Sequence, residues 1–218
     1  ERLGRLDEAE AIHRKLLASN TARYGADDVR VSTSLENLGL VLLSANRFEE
    51  AAQMYERSLT LRIAAYGLDH TSTATTQSNL GYARLRLGDY TRARELFDQA
   101  YATWLAKLGP DHQDLALVHG NYGELDLAEG KLISAREHCE KAIALIEAAL
   151  GPDSGELGYP LTGLSRVALA EGKVDEAVAQ GQRALDVSAS EWLPPGERAQ
   201  TQLALARALA KRDDVGDR

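Results

Sequence analysis

Three asparagines, Asn37, Asn79 and Asn121, stand 42 residues apart, and their side chains have the chemistry of a backbone reader. A carboxamide donates through its NH2 group and accepts through its oxygen. A row of such groups on one face can therefore pair with an extended peptide whatever side chains it carries. The same face also takes Leu40 and Leu117 as apolar contacts, Tyr82 and Tyr159 as aromatic ones, and Arg86, Glu124 and Arg166 as charged ones. Thr33, Glu36, Ser44, Thr75, Ser78, Gly120 and Thr162 complete it. The expected function is a protein-interaction module that binds a peptide segment of a partner protein.

Other chemistry finds less support. His112, His119, His138 and Cys139 fall in one stretch, but they lack the compact ligand spacing of a structural zinc site. His70 and His112 share a loop phase and are expected to shape the turn, His119 takes a packing phase, and Cys139 stands where Phe97 does, as a core residue. No phosphate-cradling glycine loop, nucleophile elbow or acid pair occurs at a strand-to-helix junction. The sequence therefore predicts no catalysis, no metal and no cofactor. A net charge of -8 and a pI near 5.2 argue against nucleic acid, whose phosphates need a basic stripe. There is no apolar run of about 18 residues and no leader pattern, so no membrane partner is expected. A single cysteine leaves no internal disulfide, and the expected compartment is the cytoplasm.

The elements that must position the asparagines follow from the same period. Gly4, Asn46, Gly88, Gly130 and Gly172 recur every 42 residues, as do Ala9, Ala51, Ala93, Ala135 and Ala177, and Gly25, Gly67, Gly109 and Gly151. A repeat of this length means stacked units, none of which buries its apolar face alone. Within one period, the spacing predicts a helix over 71–87 and a second over 90–108, with apolar residues three, four and seven apart. Glycine ends the first helix, asparagine substitutes for it at position 46, and Gly-Pro-Asp ends the second. The boundaries read as a half repeat at 1–26, full repeats at 27–68, 69–110, 111–152 and 153–194, and a closing helix with a polar tail at 195–218. That makes ten helices in an all-α chain, with the first helix of each full repeat lining the concave side. The fourth repeat departs from the others through Pro160, Gly163, Ser165 and Gly181, so its first helix is expected to begin late. The register opens and closes inside the pattern, which reads as a piece of a longer protein. Its end helices, 5–24 and 197–210, would each leave an apolar stripe available for self-association.

Asn37-Leu38-Gly39 with Ala51 and Tyr55, Asn79-Leu80-Gly81 with Ala93 and Phe97, and Asn121-Tyr122-Gly123 with Ala135 resemble the tetratricopeptide repeat. The extra length is similar to that of kinesin light chains and of many bacterial regulatory proteins. The resemblance implies a right-handed α-solenoid of antiparallel helical hairpins. It also implies peptide contact by the asparagines at this phase. An alternative it carries is a regulatory or oligomerising segment of a larger bacterial signalling enzyme, such as a Ser/Thr protein kinase. Family members that clamp a terminal carboxylate line this face with several Lys or Arg, because such a group needs charge-assisted bonds. Thr33, Glu36, Thr75, Ser78, Leu117 and Gly120 stand at those places here, so a carboxylate clamp is not expected.

Overall fold

The computed structural model describes residues 2–189 and 195–216. Residues 190–194, which close the fourth predicted repeat, and 217–218, which close the polar tail, lie outside them. Ten α-helices run through the described residues: α1 (Arg2–Tyr24), α2 (Ser32–Ser44), α3 (Phe48–Tyr66), α4 (Thr71–Arg86), α5 (Tyr90–Leu108), α6 (Leu115–Ala128), α7 (Leu132–Leu150), α8 (Gly158–Ala170), α9 (Val174–Ala189) and α10 (Pro195–Gly216). Short 3-10 turns, Val29–Val31 and Gly155–Leu157, lead into α2 and α8, and no strand occurs among the described residues. The expected all-α architecture of successive helical hairpins is the one observed.

The punctuation repeats atom for atom. At the end of α4 the Gly88 N–H bonds the Leu85 carbonyl at 3.0 Å and the Asp89 N–H bonds that of Arg84 at 3.0 Å. Gly130 with Lys131, and Gly172 with Lys173, close α6 and α8 in the same way. This double closure satisfies carbonyls that the helix itself leaves open, and it needs a left-handed residue at its centre. Asn46 fills that place after α2 with φ 58°, the one non-glycine residue at positive φ among the described residues. At the other boundary, Asp28, His70, His112 and Ser154 each accept a bond from the backbone N–H two residues on. An imidazole Nδ1 thus does for α4 what a carboxylate does before α2.

The chain divides into two compact units, 1–107 and 108–218. In the first, Leu38, Leu42, Ala51, Tyr55, Leu80, Ala83 and Leu96 form one buried cluster. Its hairpins are closed by rings seated on glycine: a Cβ on Gly39 would come 2.8 Å from the Tyr55 ring, and one on Gly81 would come 2.6 Å from that of Phe97. The small residues therefore make room for a side chain from the facing helix as well as for close backbone approach. In the second unit, Gly123 receives the sulfur of Cys139 in the same manner, at 2.6 Å. The last hairpin reverses the sizes. Ser165 stands at the glycine phase and bonds the Ala177 carbonyl at 2.6 Å, while Gly181 stands at the ring phase and gives its space to Leu205 of α10.

The late start of α8 has a different cause from the expected one. It begins at Gly158, and α2 begins at the equivalent Ser32 without any proline in its first turn. Both follow a 3-10 turn capped by a side chain, by Asp28 in one case and Ser154 in the other. Pro160 merely occupies the first turn, where its missing N–H costs nothing.

Candidate functional site

In the first unit, α2 and α4 set the predicted residues on matching stripes. Asn37 is exposed on α2 and Leu40 is 57% exposed one turn later. On α4, Thr75, Asn79 and Tyr82 are half-buried and Arg86 is exposed. Among the described residues neither Asn37 nor Asn79 has a side-chain hydrogen-bond partner. Both amides keep their donors and acceptor for something else.

Arg86 is held by aromatic rings. Its guanidinium carbon lies 4.4 Å from the ring centroid of Phe48, the residue that opens α3, and 5.9 Å from that of Tyr82. Its Nη1 donates to the Tyr82 hydroxyl at 3.3 Å. The negative face of each ring attracts the cation and limits the positions it can take. Phe48 shares its phase with Tyr90, Leu132 and Val174, so the period marks it as the apolar residue that opens a second helix, but not as a partner of Arg86.

Glu36, placed on the lining face by its phase, is used inside the unit. One carboxylate oxygen meets Arg62 Nη2 at 2.5 Å, and the other accepts from Ser58 at 3.3 Å and from Thr76. Arg62 also donates to the Ser72 carbonyl at 2.5 Å and to the Ser32 hydroxyl at 3.3 Å. The side chains of Arg62 and Glu36 are only 11% and 14% exposed. The network ties α2, α3 and α4 together and leaves this carboxylate no free charge toward a ligand.

The second unit treats the same phase differently. The Tyr159 hydroxyl donates to Asn121 Oδ1 at 3.0 Å. Its ring lies where a Cβ on Gly120 would be 2.7 Å away. Asn121 is consequently 3% exposed. Glu124 and Arg166, one repeat apart, form an ion pair with each other. Leu117 stays open at 46% exposure.

His119 and His138 face each other with their Nδ1 atoms 3.0 Å apart, and the His138 ring stacks on Tyr122 at 4.9 Å between centroids. The Asp126 carboxylate lies 3.7 Å from His138 Nε2. Burial, helped by His138 and Lys141, pushes the His119 imidazole down to about 4. It is therefore neutral at neutral pH and shares one proton-mediated bond with its neighbour. Burial pushes the Cys139 thiol up to about 12, which leaves it a packing residue and not a nucleophile. No group of three or more His, Cys, Asp or Glu side chains able to hold a metal occurs among the described residues. No helix there is long and apolar enough to cross a membrane.

The sequence profile of the tetratricopeptide repeat matches residues 1–64, 72–132 and 114–190. No curated protein matches the chain. Among solved structures, BtubC (BKLC) of P. vanneervenii is 22% identical with a TM-score of 0.66, over 87% of this chain and 75% of that one. A putative kinesin light chain of P. anserina with nearly identical repeats is 19% identical with a TM-score of 0.62, over 87% and 90%. MamA is 18% identical with a TM-score of 0.51, over 87% and 92%. At such identities the likeness concerns the fold alone.

Proposed function

Because the chain belongs to the tetratricopeptide repeat family, whose stacked hairpins present extended surfaces to other proteins, we propose that it takes an extended segment of a partner protein along the face carried by α2 and α4. Asn37 and Asn79 pair with the backbone of that segment, and Leu40 and Tyr82 cover its side chains. The observation that supports this reading is the pair of amides one repeat apart, each with its hydrogen-bonding groups unused by the described residues.

The test is an array of 12-residue peptides probed with the whole chain, followed by titration of the best binder against Asn79→Ala. A lost backbone bond should weaken binding about ten- to hundredfold, while the melting temperature stays where it was. Unchanged affinity together with a clear loss of melting temperature would make Asn79 an internal tie and remove the reading's central residue.

A further inference from the structure

The second unit has the reading position of the first and also an occupant for it. Asn121 shares the phase of Asn37 and Asn79, and its Oδ1 accepts the Tyr159 hydroxyl at 3.0 Å. A peptide N–H would make the same kind of bond to that oxygen. The phenol thus supplies from within the chain what a ligand would bring. Its ring has a seat of its own, since a Cβ on Gly120 would stand 2.7 Å from it. Gly120 and Asn121 are buried beside the half-buried Tyr159. The first unit lacks both halves of this arrangement: Glu36 and Ser78 stand at the phase of Gly120, and Thr33 and Thr75 at that of Tyr159. A further tie between the same two helices, α6 and α8, is the ion pair of Glu124 and Arg166. In the first unit α2 and α4 are joined through Glu36 and Thr76, a contact in which neither Asn37 nor Asn79 takes part.

From this arrangement we infer that Tyr159 is a built-in occupant of the second unit's reading position, and that it confines peptide binding to the first unit. The inference rests on the peptide reading above and adds which part of the chain can bind. An occupant carried by the fold gives up no translational freedom when it docks, so it competes at a high effective concentration. A buried hydrogen bond and a seated ring together favour the closed arrangement on the order of a hundredfold. The apparent affinity at Asn121 is lower by the same factor. Tyr159→Thr restores the residue found at that phase in Thr33 and Thr75, and Gly120→Ser restores that of Ser78 and fills the vacated space. The pair of changes therefore gives the second unit the open pattern of the first.

The experiment uses the 218-residue chain and 12-residue peptides of mixed Ser, Ala and Leu that carry one photo-crosslinking benzoylphenylalanine. After irradiation the labelled helices are mapped by mass spectrometry. The wild-type chain should be labelled on α2 and α4 alone, and Gly120→Ser/Tyr159→Thr on α6 and α8 as well. Adding Asn121→Ala should remove only the new labelling. Gly120→Ser by itself should lower the melting temperature, because it drives a side chain into the Tyr159 ring, and Tyr159→Thr should recover most of that loss. Labelling of α6 and α8 in the wild type, or a folded double variant labelled on α2 and α4 alone, would overturn the inference. Should the double variant fold poorly, Tyr159→Phe keeps the ring and loses the bond, and absence of any rise in α6 labelling would overturn it equally. In each of those cases labelling of α2 and α4 that Asn79→Ala weakens leaves the peptide reading standing. No labelling of α2 and α4 in any form would sink both.

Discussion

The first helices of the two units carry the same phase and put it to opposite uses. In the first unit the stripe of Asn37, Leu40, Asn79 and Arg86 is open. In the second, Asn121, Glu124, Tyr159 and Arg166 satisfy one another. The difference comes from a matched pair of changes. At the phase where Glu36 and Ser78 stand, the third repeat has Gly120, and at the phase of Thr33, Thr75 and Leu117 the fourth has Tyr159. The glycine leaves a space one repeat away from the tyrosine, and the ring fills it. A sequence period therefore repeats a residue's position but not its accessibility, which depends on what the next repeat supplies.

The largest effect that would sharpen this contrast lies in the first unit, where charge has been moved inward. Arg62→Leu should leave Glu36 buried without its partner and cost about 3–5 kcal/mol, read as a lower urea midpoint. Adding Glu36→Gln should recover part of the loss, and full additivity of the two changes would show that the pair is not coupled.

The second unit should show the larger response to acid. The His119 imidazole has a folded-state value of about 4 against a usual 6.5, so the unfolded chain binds the extra proton first. The stability this neutral group contributes is complete above about pH 6.5, falls as the pH drops, and is gone once it passes below about 4. The total is on the order of 3 kcal/mol. His119→Leu, the residue type found at the same phase in Leu35 and Leu161, should flatten that part of the profile. A wild-type melting temperature that stays level between pH 7 and 4.5 would contradict the buried neutral imidazole.

Smaller effects come from the closures. Gly81→Ala pushes a methyl into the Phe97 ring and should cost about 1–3 kcal/mol, with Phe97→Leu restoring part of it. Asn121→Ala should cost about 1 kcal/mol of stability by leaving the Tyr159 hydroxyl without its acceptor. Asn79→Ala, with no bond of its own to lose, should stay within about 0.5 kcal/mol. Equal losses of melting temperature for the two asparagine variants would erase the distinction between an open and a closed face.

Much of the fold was legible because it depends on short-range rules. A glycine or asparagine every 42 residues marks a helix end wherever it falls, and Asn46 was readable for the same reason as Gly88. Helix α5 begins and ends where its apolar spacing says. The late start of α8 was expected from its proline, whereas α2, which has none, begins at the same phase after an equivalent 3-10 turn. The candidate face was legible as a phase but not as a surface. Glu36 and Arg62 are 26 residues apart on different helices, and Asn121 and Tyr159 are 38 apart. Neither spacing is one that a helix rule connects. Phe48 and Arg86 meet from different helices, and no helix rule connects them.

The reversed sizes at Ser165 and Gly181 bear on how this chain could be shortened, shuffled or averaged. Writing the majority residue at every phase would put glycine at 165 and an aromatic ring at 181. That ring would then enter space held by Leu205, which already stands 3.3 Å from where a Gly181 Cβ would lie. Ser165, Gly181 and Leu205, on α8, α9 and α10, therefore have to be changed or kept together. A recombination boundary placed between α9 and α10 separates Gly181 from Leu205 and should give poorly folded chimeras.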